Sequence, residues 1–103
     1  MDFRGTLPTL ILHSLSQGAA HGYKIAQDIK LKSKGVLDFK EGTLYPTLHG
    51  LENKGLVQSE TEQEGGRTRR YYRLTNRGRR ALARKRREWA MFSCAVNLIL
   101  KEA

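Results

Sequence analysis

Hydrophobic residues recur every three or four positions near the beginning of the chain, a spacing that puts them on one face of a helix. The line consists of Leu7, Leu10, Ile11 and Leu15, and Gly18 follows as a stop signal. These positions predict a first helix with one buried face and one solvated face.

A second helical line follows after a short gap. Ile25, Ala26 and Ile29 share one face, while the lysines between and beyond them belong to the opposite, solvated face. The segment His21-Gly22-Tyr23 opens this helix and residues 33–35 end it. The pattern therefore predicts two consecutive short helices.

A third helix is predicted from Glu41 to Asn53. Its buried line consists of three leucines at i, i+4 and i+7, namely Leu44, Leu48 and Leu51. Pro46 is compatible with this helix if Thr43 lies near the N-cap, because a proline in the first turn has no helical N–H bond to lose. Gly55 is expected to end the helix, as glycine commonly does just beyond a C-terminus.

Two strand-like runs come next, at residues 56–61 and 68–74, joined through Glu64-Gly65-Gly66-Arg67. A two-stranded hairpin alone is only marginally stable, so these strands must pack against the helices. The expected fold class is therefore α+β and mostly α. It is a winged helix-turn-helix of three helices and a two-stranded wing, in a domain spanning residues 1–75.

Residues 76–103 are predicted to form one long C-terminal dimerisation helix, capped by Thr75. Ten of the twelve residues from Trp89 to Leu100 are apolar, although twelve residues fall short of the roughly 20 that cross a bilayer. Such a helix needs a partner surface, and we expect a homodimer; in the alternative, the helix folds back over its own core. The residues expected at the dimer contact follow heptad-like steps and are Leu82, Trp89, Phe92, Val96 and Ile99.

The positive charge of the chain is concentrated in its second part. The net charge is +9, yet residues 1–64 hold seven basic and eight acidic side chains, against twelve and two in residues 65–103. Between Arg67 and Arg87 there are eleven basic residues and no acidic one. Such a run fits the phosphate backbone of a nucleic acid. For Arg77 to Arg87, a solvated helix face explains the charge equally well.

Residues that carry catalysis or hold metals are scarce. Cys94 is the only cysteine, so a disulfide within the chain and a cysteine-rich zinc site are both excluded. His13, His21 and His49 lie on separate segments without paired carboxylates at ligand spacing. We therefore expect no catalysis, no cofactor and no metal. The single cysteine and an N-terminus without a signal-peptide pattern favour the cytoplasm, in association with the nucleoid.

Four motifs together resemble the PadR family of bacterial transcriptional regulators. In chain order they are His21-Gly22-Tyr23; Gly42-Thr43-Leu44-Tyr45-Pro46; Leu51-Glu52 with Gly55-Leu56-Val57; and Gly66-Arg67 with Arg70-Tyr71-Tyr72-Arg73-Leu74-Thr75 and Gly78. The resemblance implies a winged-helix domain and a homodimer that represses transcription by occupying an operator on double-stranded DNA. It also implies a short form of the family, because the chain offers a single helix where larger members carry a multi-helix C-terminal domain.

On this interpretation the third helix enters the major groove, and the hairpin contacts the minor groove or its flanking phosphates. The residues expected at DNA are Tyr23, Lys24, Lys40, Thr43, Tyr45, Pro46, His49, Arg67, Thr68 and Arg69. Thr43 is equally well explained as an N-cap, and His49 can also be simply solvent-exposed. Because alternate strand residues share a face, Tyr71 or Tyr72 is expected to pack inward. A two-fold dimer would read a pseudo-palindromic site with half-sites roughly 34 Å apart.

Trp89 has a second predicted role. In a dimer its two-fold mate can face it and leave a flat apolar slot for a small aromatic effector, although an ordinary interface anchor is the simpler explanation. Two other functions stay open on charge alone. One is a small basic RNA-binding protein, and the other is a winged-helix module used only for protein contacts.

Overall fold

The computed structural model describes residues 4–101, which form four α-helices and a three-stranded antiparallel sheet. The helices are α1 (Leu7–Ser16), α2 (Gly22–Lys32), α3 (Glu41–Asn53) and α4 (Asn76–Leu100), and the strands are β1 (Ala20–His21), β2 (Val57–Glu64) and β3 (Arg67–Leu74). A 3-10 turn, Arg4–Thr6, precedes α1. This arrangement confirms the predicted fold class, a mostly helical winged helix.

Helix α1 forms the centre of the hydrophobic core. It packs against α2, α3, α4 and β3, and its side chains Leu7, Ile11 and Leu12 are fully buried. Leu12 lies outside the predicted apolar line, whereas Leu10, which belongs to that line, is only half-buried. The difference arises because α1 is covered by other elements on more than one side.

The sheet contains a strand that the sequence pattern did not predict. β1 pairs with β3, with Ala20 opposite Tyr72 and His21 opposite Tyr71, and the strand order is β1-β3-β2. Two residues are too few to show an alternating pattern. Since β1 pairs only with the base of β3, the described chain leaves that edge of β3 without a partner strand at residues 67–70.

Strands β2 and β3 pair over their full length, from Val57 opposite Leu74 to Glu64 opposite Arg67. The turn between them consists of Gly65 and Gly66, whose φ angles are 55° and 80°. A two-residue hairpin loop with positive φ at both positions matches the twist of the strands, and glycine adopts that conformation without a steric cost. The predicted hairpin is therefore present, and it forms the wing.

Helix α3 has the predicted bounds, Glu41 to Asn53. Its N-cap is Lys40, so Thr43 is already the third helical residue and the alternative explanation of Thr43 as the N-cap is wrong. Pro46 is the sixth residue and lies inside the helix. Because proline has no N–H, it cannot donate the usual helical hydrogen bond to the Gly42 carbonyl.

The C-terminus of α3 is closed as predicted. Gly55 has a φ of 75°, its N–H donates to the Glu52 carbonyl at 2.9 Å, and the Leu56 N–H donates to the Leu51 carbonyl at 3.0 Å. These two bonds form a Schellman motif, which satisfies the last helical carbonyls. The motif directs the chain from α3 straight into the wing.

The first half of α4 packs on the core, and its second half extends beyond it. The Thr75 hydroxyl accepts the Gly78 N–H at 3.0 Å, which is the predicted cap. Ala81 and Leu82 are buried in the core of the winged helix. Leu82, predicted at the dimer contact, is only 6% exposed and is covered by its own protomer, so little of its side chain is left for a second subunit.

Beyond this point α4 has little to pack against, and the molecule measures 60 × 28 × 21 Å. Met91, Leu98, Ile99 and Leu100 are each at least 68% exposed. Within residues 4–101, no helix has the length and apolar character required to span a membrane.

Candidate nucleic-acid interface

A groove of about 580 Å³ runs between α3, the start of α2 and the unpaired edge of β3. Its lining joins three separate parts of the sequence, and consists of His21, Tyr23, Tyr45, His49, Arg67, Thr68, Arg69, Arg70 and Tyr72. Six of the ten side chains predicted to contact DNA therefore lie together. The groove is cationic on its wing side and aromatic on its helical side.

Four predicted residues lie outside the lining of this groove. Lys24 is exposed in the first turn of α2, Pro46 is exposed on α3, and Thr43 is half-buried on α3. Lys40 is also exposed, and its ammonium lies 3.2 Å from a carboxylate oxygen of Asp38. The hydrogen bond from Lys40 is the main cause that lowers the pKa of Asp38 from its ordinary value.

Tyr45 of α3 packs against the start of α2. Its ring is half-buried, and its outer atoms lie 2.7 to 2.8 Å from the position that a Cβ would take at Gly22. No side chain larger than hydrogen fits there while Tyr45 keeps its place. The glycine of the motif His21-Gly22-Tyr23 is thus explained by the packing of Tyr45, a candidate interface residue. His49, one helical turn further along, is exposed toward the groove.

The wing presents two faces with different surroundings. Tyr72 is 1% exposed, and burial raises its pKa. Thr68 and Arg70 share the face of Tyr72, because alternate strand residues point to the same side. Arg67 and Arg69 belong to the opposite face. The three neighbours predicted as one contact set, residues 67–69, are therefore divided between the two faces.

Arg70 is a candidate interface residue that the sequence analysis did not select. Its guanidinium donates to the Ser59 hydroxyl at 2.9 Å, and Ser59 in turn donates to the Glu52 carboxylate at 2.5 Å. This chain of hydrogen bonds connects the wing to the last turn of α3. The available signal was its position two residues before an inward-facing tyrosine on a strand, which places Arg70 on the side of α3.

His21 is a second residue whose role the sequence analysis missed. Its Nδ1 accepts the Lys24 N–H at 3.2 Å as the N-cap of α2, and its Nε2 lies 3.0 Å from the guanidinium of Arg69. The ring also packs edge-on against Tyr71 at 5.6 Å. A neutral imidazole has one acceptor nitrogen and a guanidinium only donates, so the two donors compete for one lone pair.

The wing arginines differ in the acidic partners that they have. Arg73 forms a 2.6 Å ion pair with Glu60, and Arg69 lies 3.8 Å from Glu64. Glu64 also accepts a 2.6 Å hydrogen bond from the Tyr71 hydroxyl, which raises the pKa of Tyr71. Within residues 4–101, no acidic side chain forms an ion pair with Arg67 at the wing tip. Arg67 can consequently bind a phosphate without first breaking an ion pair.

The extended half of α4 forms a second surface, which is apolar. Trp89 and Phe92 are 53% and 60% exposed, and their ring centroids lie 6.0 Å apart. Both rings line a hollow of about 700 Å³ that also includes Leu10, Val36 and Leu37. Of the predicted dimer residues, Trp89, Phe92 and Ile99 are exposed and Val96 is half-buried, so four of the five are accessible.

Side chains that bind metals are dispersed. In the described part of the chain, no three His, Cys, Asp or Glu residues come close enough to hold a metal ion. The histidines have other contacts: the Nδ1 of His13 faces the guanidinium of Arg86 on α4, and His21 faces Arg69. The pKa of His13 is lowered by burial and by the nearby cations Arg86 and Lys32. Burial and these two cations therefore disfavour the charged ring in the fold.

The chain matches the family model described as the transcriptional regulator PadR-like family, over residues 11–84. It is 44% identical over 77 residues to the transcriptional regulator Rv3488 of Mycobacterium tuberculosis, a match that covers 75% of this chain and 69% of the relative. Both matches include α3 and the wing.

Solved structures have the same fold. A transcriptional regulator from Clostridium thermocellum superposes with a TM-score of 0.89 at 34% identity, covering 95% of this chain and 96% of that one. A PadR family transcription regulator from Clostridium difficile superposes with a TM-score of 0.81 at 33% identity, covering 94% and 100%. These similarities extend along α4 as well as the winged helix.

Proposed function

The chain belongs to the PadR-like family of transcriptional regulators, whose members bind DNA and are not enzymes, and on this premise we propose that it is a homodimeric repressor of a pseudo-palindromic operator. Helix α3 enters the major groove, and the wing contacts the phosphates beside it. Two copies of this surface are needed, because one copy offers few side chains to base edges.

The observation that carries this proposal is the groove between α3 and β3. Its wing side supplies Arg67 and Arg69, and its helical side supplies Tyr45 and His49. Cations fix the position of a protein on the duplex, while polar groups on a helix read base edges. Arg70, bridged to the end of α3 through Ser59, keeps the wing and the helix in a fixed relation.

Dimerisation is attributed to the extended half of α4. Its exposed aromatic and aliphatic side chains form an apolar patch of a kind that marks a protein–protein contact. A dimer joined through two copies of α4 presents two copies of α3 to DNA. Half-sites about one DNA turn apart, roughly 34 Å, are the corresponding requirement on the operator.

Selection of bound duplexes from a random pool tests these points together. We expect enrichment of an inverted repeat with half-sites spaced by about 10 base pairs. Enrichment of a single half-site would contradict the proposal that a dimer binds the operator. A failure to enrich any duplex would contradict operator recognition. Preferential binding of structured RNA in competition would favour an RNA-binding protein. A dimer that binds no nucleic acid at any salt concentration would favour a protein-interaction module.

A specific observation also favours regulation by a small aromatic effector. The apolar hollow beside Trp89 is lined by Phe92, Leu10, Val36 and Leu37, and its volume of about 700 Å³ is within the usual range for small-molecule sites. Its position on the proposed dimer helix couples occupancy of the hollow to the spacing of the two recognition helices. We propose that such a ligand releases the operator.

Trp89 is the only tryptophan of the chain, so its fluorescence reports on this hollow directly. Titration with a panel of planar aromatic compounds should change the emission and lower operator affinity at the same concentrations. Aliphatic compounds of similar size are the control. A panel without any change in emission would contradict the effector site and leave the DNA-binding proposal intact.

A further inference from the structure

The first half of α4 carries a stripe of arginines that the proposed operator surface does not use. Arg80, Arg84 and Arg87 are exposed and follow each other at i, i+4 and i+7. At 100° per residue they lie on the side of the helix opposite the buried Gly78 and Leu82. We refer to Arg80, Arg84 and Arg87 as the basic stripe.

Most of the charge of the basic stripe is not neutralised by the protein. Among the residues that the structure describes, the only ion pair formed by the stripe is between Arg84 and Glu88, at 3.9 Å with both side chains more than half exposed. Like charges at i, i+3 and i+4 each destabilise a helix by roughly 0.2 to 0.5 kcal/mol. A solvated helix face does not require this arrangement, because mixed charges keep a helix soluble at no such cost. The pattern is explained by a polyanionic partner.

The basic stripe lies outside the proposed operator groove. Helix α4 packs mainly against α1, and no residue of α4 lines the groove between α3 and the wing. Helix α4 begins directly after the base of the wing, about 26 Å from the wing tip for eight strand residues. We therefore treat the stripe as a surface separate from the groove that holds the first duplex.

Duplex DNA has the spacing that the basic stripe requires. The first and last of the three arginines are seven residue steps apart, or about 10 Å of helix at 1.5 Å per residue. One DNA strand carries a phosphate about every 3.4 Å along its axis, so the stripe spans about three phosphates. The stripe also stays accessible in the proposed dimer, since two stripes of equal charge repel each other and the apolar dimer residues lie further along α4.

We infer that the basic stripe is a second DNA-binding surface, which holds the phosphate backbone of a second duplex independently of sequence while α3 and the wing hold the first. The protein thereby bridges two DNA segments. The step from one duplex to two rests on the proposed function for the first duplex, whereas the stripe's affinity for DNA does not depend on it.

A sandwich capture assay tests the inference. A duplex enriched from the random pool is fixed on beads, the protein is added, and capture of a labelled duplex of unrelated sequence is measured. The variant carrying Arg80→Gln, Arg84→Gln and Arg87→Gln should capture the second duplex about tenfold less well or worse, because three phosphate contacts are lost. Its affinity for the fixed duplex should stay within about twofold of the unmodified protein, since phosphate contacts of α3 and the wing are unchanged.

The matched control carries Lys32→Gln, Lys34→Gln and Lys101→Gln, which remove the same charge from other exposed positions. This control should capture the second duplex normally. Equal losses in both variants would show that capture depends only on the net charge of the protein, and would overturn the inference that the stripe binds the second duplex. Normal capture by the stripe variant, or no capture by the unmodified protein while it holds the fixed duplex, would also overturn it.

Failure of the proposed function gives a different result. If the protein holds no enriched duplex, operator recognition fails, and the stripe is then tested by direct titration of unrelated duplex against the same two variants. A labelled structured RNA replaces the second duplex in a further arm. Capture of that RNA at tenfold lower concentration than duplex DNA would overturn the assignment of the stripe to DNA.

Discussion

Arg67 and Arg73 are exposed arginines on the same face of β3, six residues apart, yet their surroundings differ. Arg73 is paired with Glu60 at 2.6 Å near the base of the wing, and Arg67 lies at the tip without such a partner in the described chain. A phosphate that binds Arg67 does not compete with a carboxylate. Sequence alone treats the two residues alike.

Arg67→Ala should therefore weaken binding to operator and unrelated duplexes alike, and the negative slope of log affinity against log salt should become shallower by about 1. Arg73→Ala removes the same charge and should leave both quantities unchanged. Fluorescence anisotropy titrations between low and high salt measure the two variants. Equal effects would mean that the wing contributes only to the overall field of the protein.

Gly22 is the other residue whose role is decided by a neighbour. A methyl group there would lie 2.7 to 2.8 Å from the ring of Tyr45, closer than carbon atoms pack. Gly22→Ala should destabilise the fold by about 1 to 3 kcal/mol through overpacking, and should weaken DNA binding as Tyr45 moves. Urea unfolding and anisotropy check the two effects.

Gly50→Ala is the matched control for Gly22→Ala, because nothing lies within 4 Å of its Cβ position on α3. Alanine in a helix interior should stabilise it by roughly 0.5 to 1 kcal/mol. The combination of Gly22→Ala with Tyr45→Ala should cost less than the sum of the single changes. Full additivity would show that Tyr45 and Gly22 are not coupled.

At the scale of elements, the position of α4 depends on one close contact. A Cβ at Gly78 would lie 2.0 Å from the Leu56 carbonyl oxygen, a backbone atom that cannot rotate away. The first turn of α4 is thereby fixed against the segment that joins α3 to the wing. The contact helps to set the orientation of α4 relative to α3.

Gly78→Ala should destabilise the protein by about 2 to 3 kcal/mol, toward the upper end of the range for overpacking. The loss should exceed that of Gly22→Ala, where the obstructing group is a side chain. Unfolding at matched protein concentration measures this difference, because the proposed dimerisation would add a concentration-dependent contribution to stability. A smaller loss for Gly78→Ala would contradict the close docking of α4.

The contact between α1 and α4 predicts a dependence of stability on pH. Burial, followed by Arg86 and Lys32, lowers the pKa of His13 in the fold below its ordinary value of 6.5. Below about pH 6.5 the unfolded chain therefore binds a proton that the folded chain does not, and stability falls as the pH decreases further. Asp28 of α2 is an acidic group near His13, because both residues line one small hollow.

His13→Gln removes this group from the proton balance. The melting temperature of the unmodified protein should decrease more between pH 7.5 and pH 5.5 than that of the variant, and the curves should converge above the ordinary histidine value. Thermal melts across this range provide the test. Parallel curves would show that His13 titrates alike in the folded and unfolded chains.

At the scale of the whole molecule, the two surfaces of the proposed function differ in character and belong to different elements. The groove at α3 and the wing is cationic, while the end of α4 is apolar and extends beyond the core. A molecule 60 Å long with an exposed apolar arm fits an assembly of two copies better than a monomer. Binding affinity for an inverted repeat should thus depend on residues far from DNA.

Phe92→Glu together with Ile99→Glu should convert the protein to a monomer and should abolish the preference for an inverted repeat over a single half-site. Both residues are at least 60% exposed and lie outside the core, so the winged helix should stay folded. Asn97→Glu is the matched control on the same helix. Sedimentation of a double variant that is still dimeric would contradict the role of α4.

The sequence by itself determined the elements that have a clear period or a strong local signal. The leucine line of α3, the diglycine turn of the wing and the Thr75 cap of α4 are all in the structure, because each depends on residues a few positions apart. The four motifs, taken at their spacing, also identified the family.

Only the tertiary structure decided which side chains meet across the fold. Two-residue β1, the packing of Tyr45 on Gly22, the bridge from Arg70 through Ser59 to Glu52, and the burial of Leu82 all depend on segments distant in sequence. Leu82 continues the apolar line of Trp89 and Phe92 in the helical period, but α1 covers only the first half of α4. Periodicity assigns a residue to a face, whereas the partner of that face is set by the packing of the other elements.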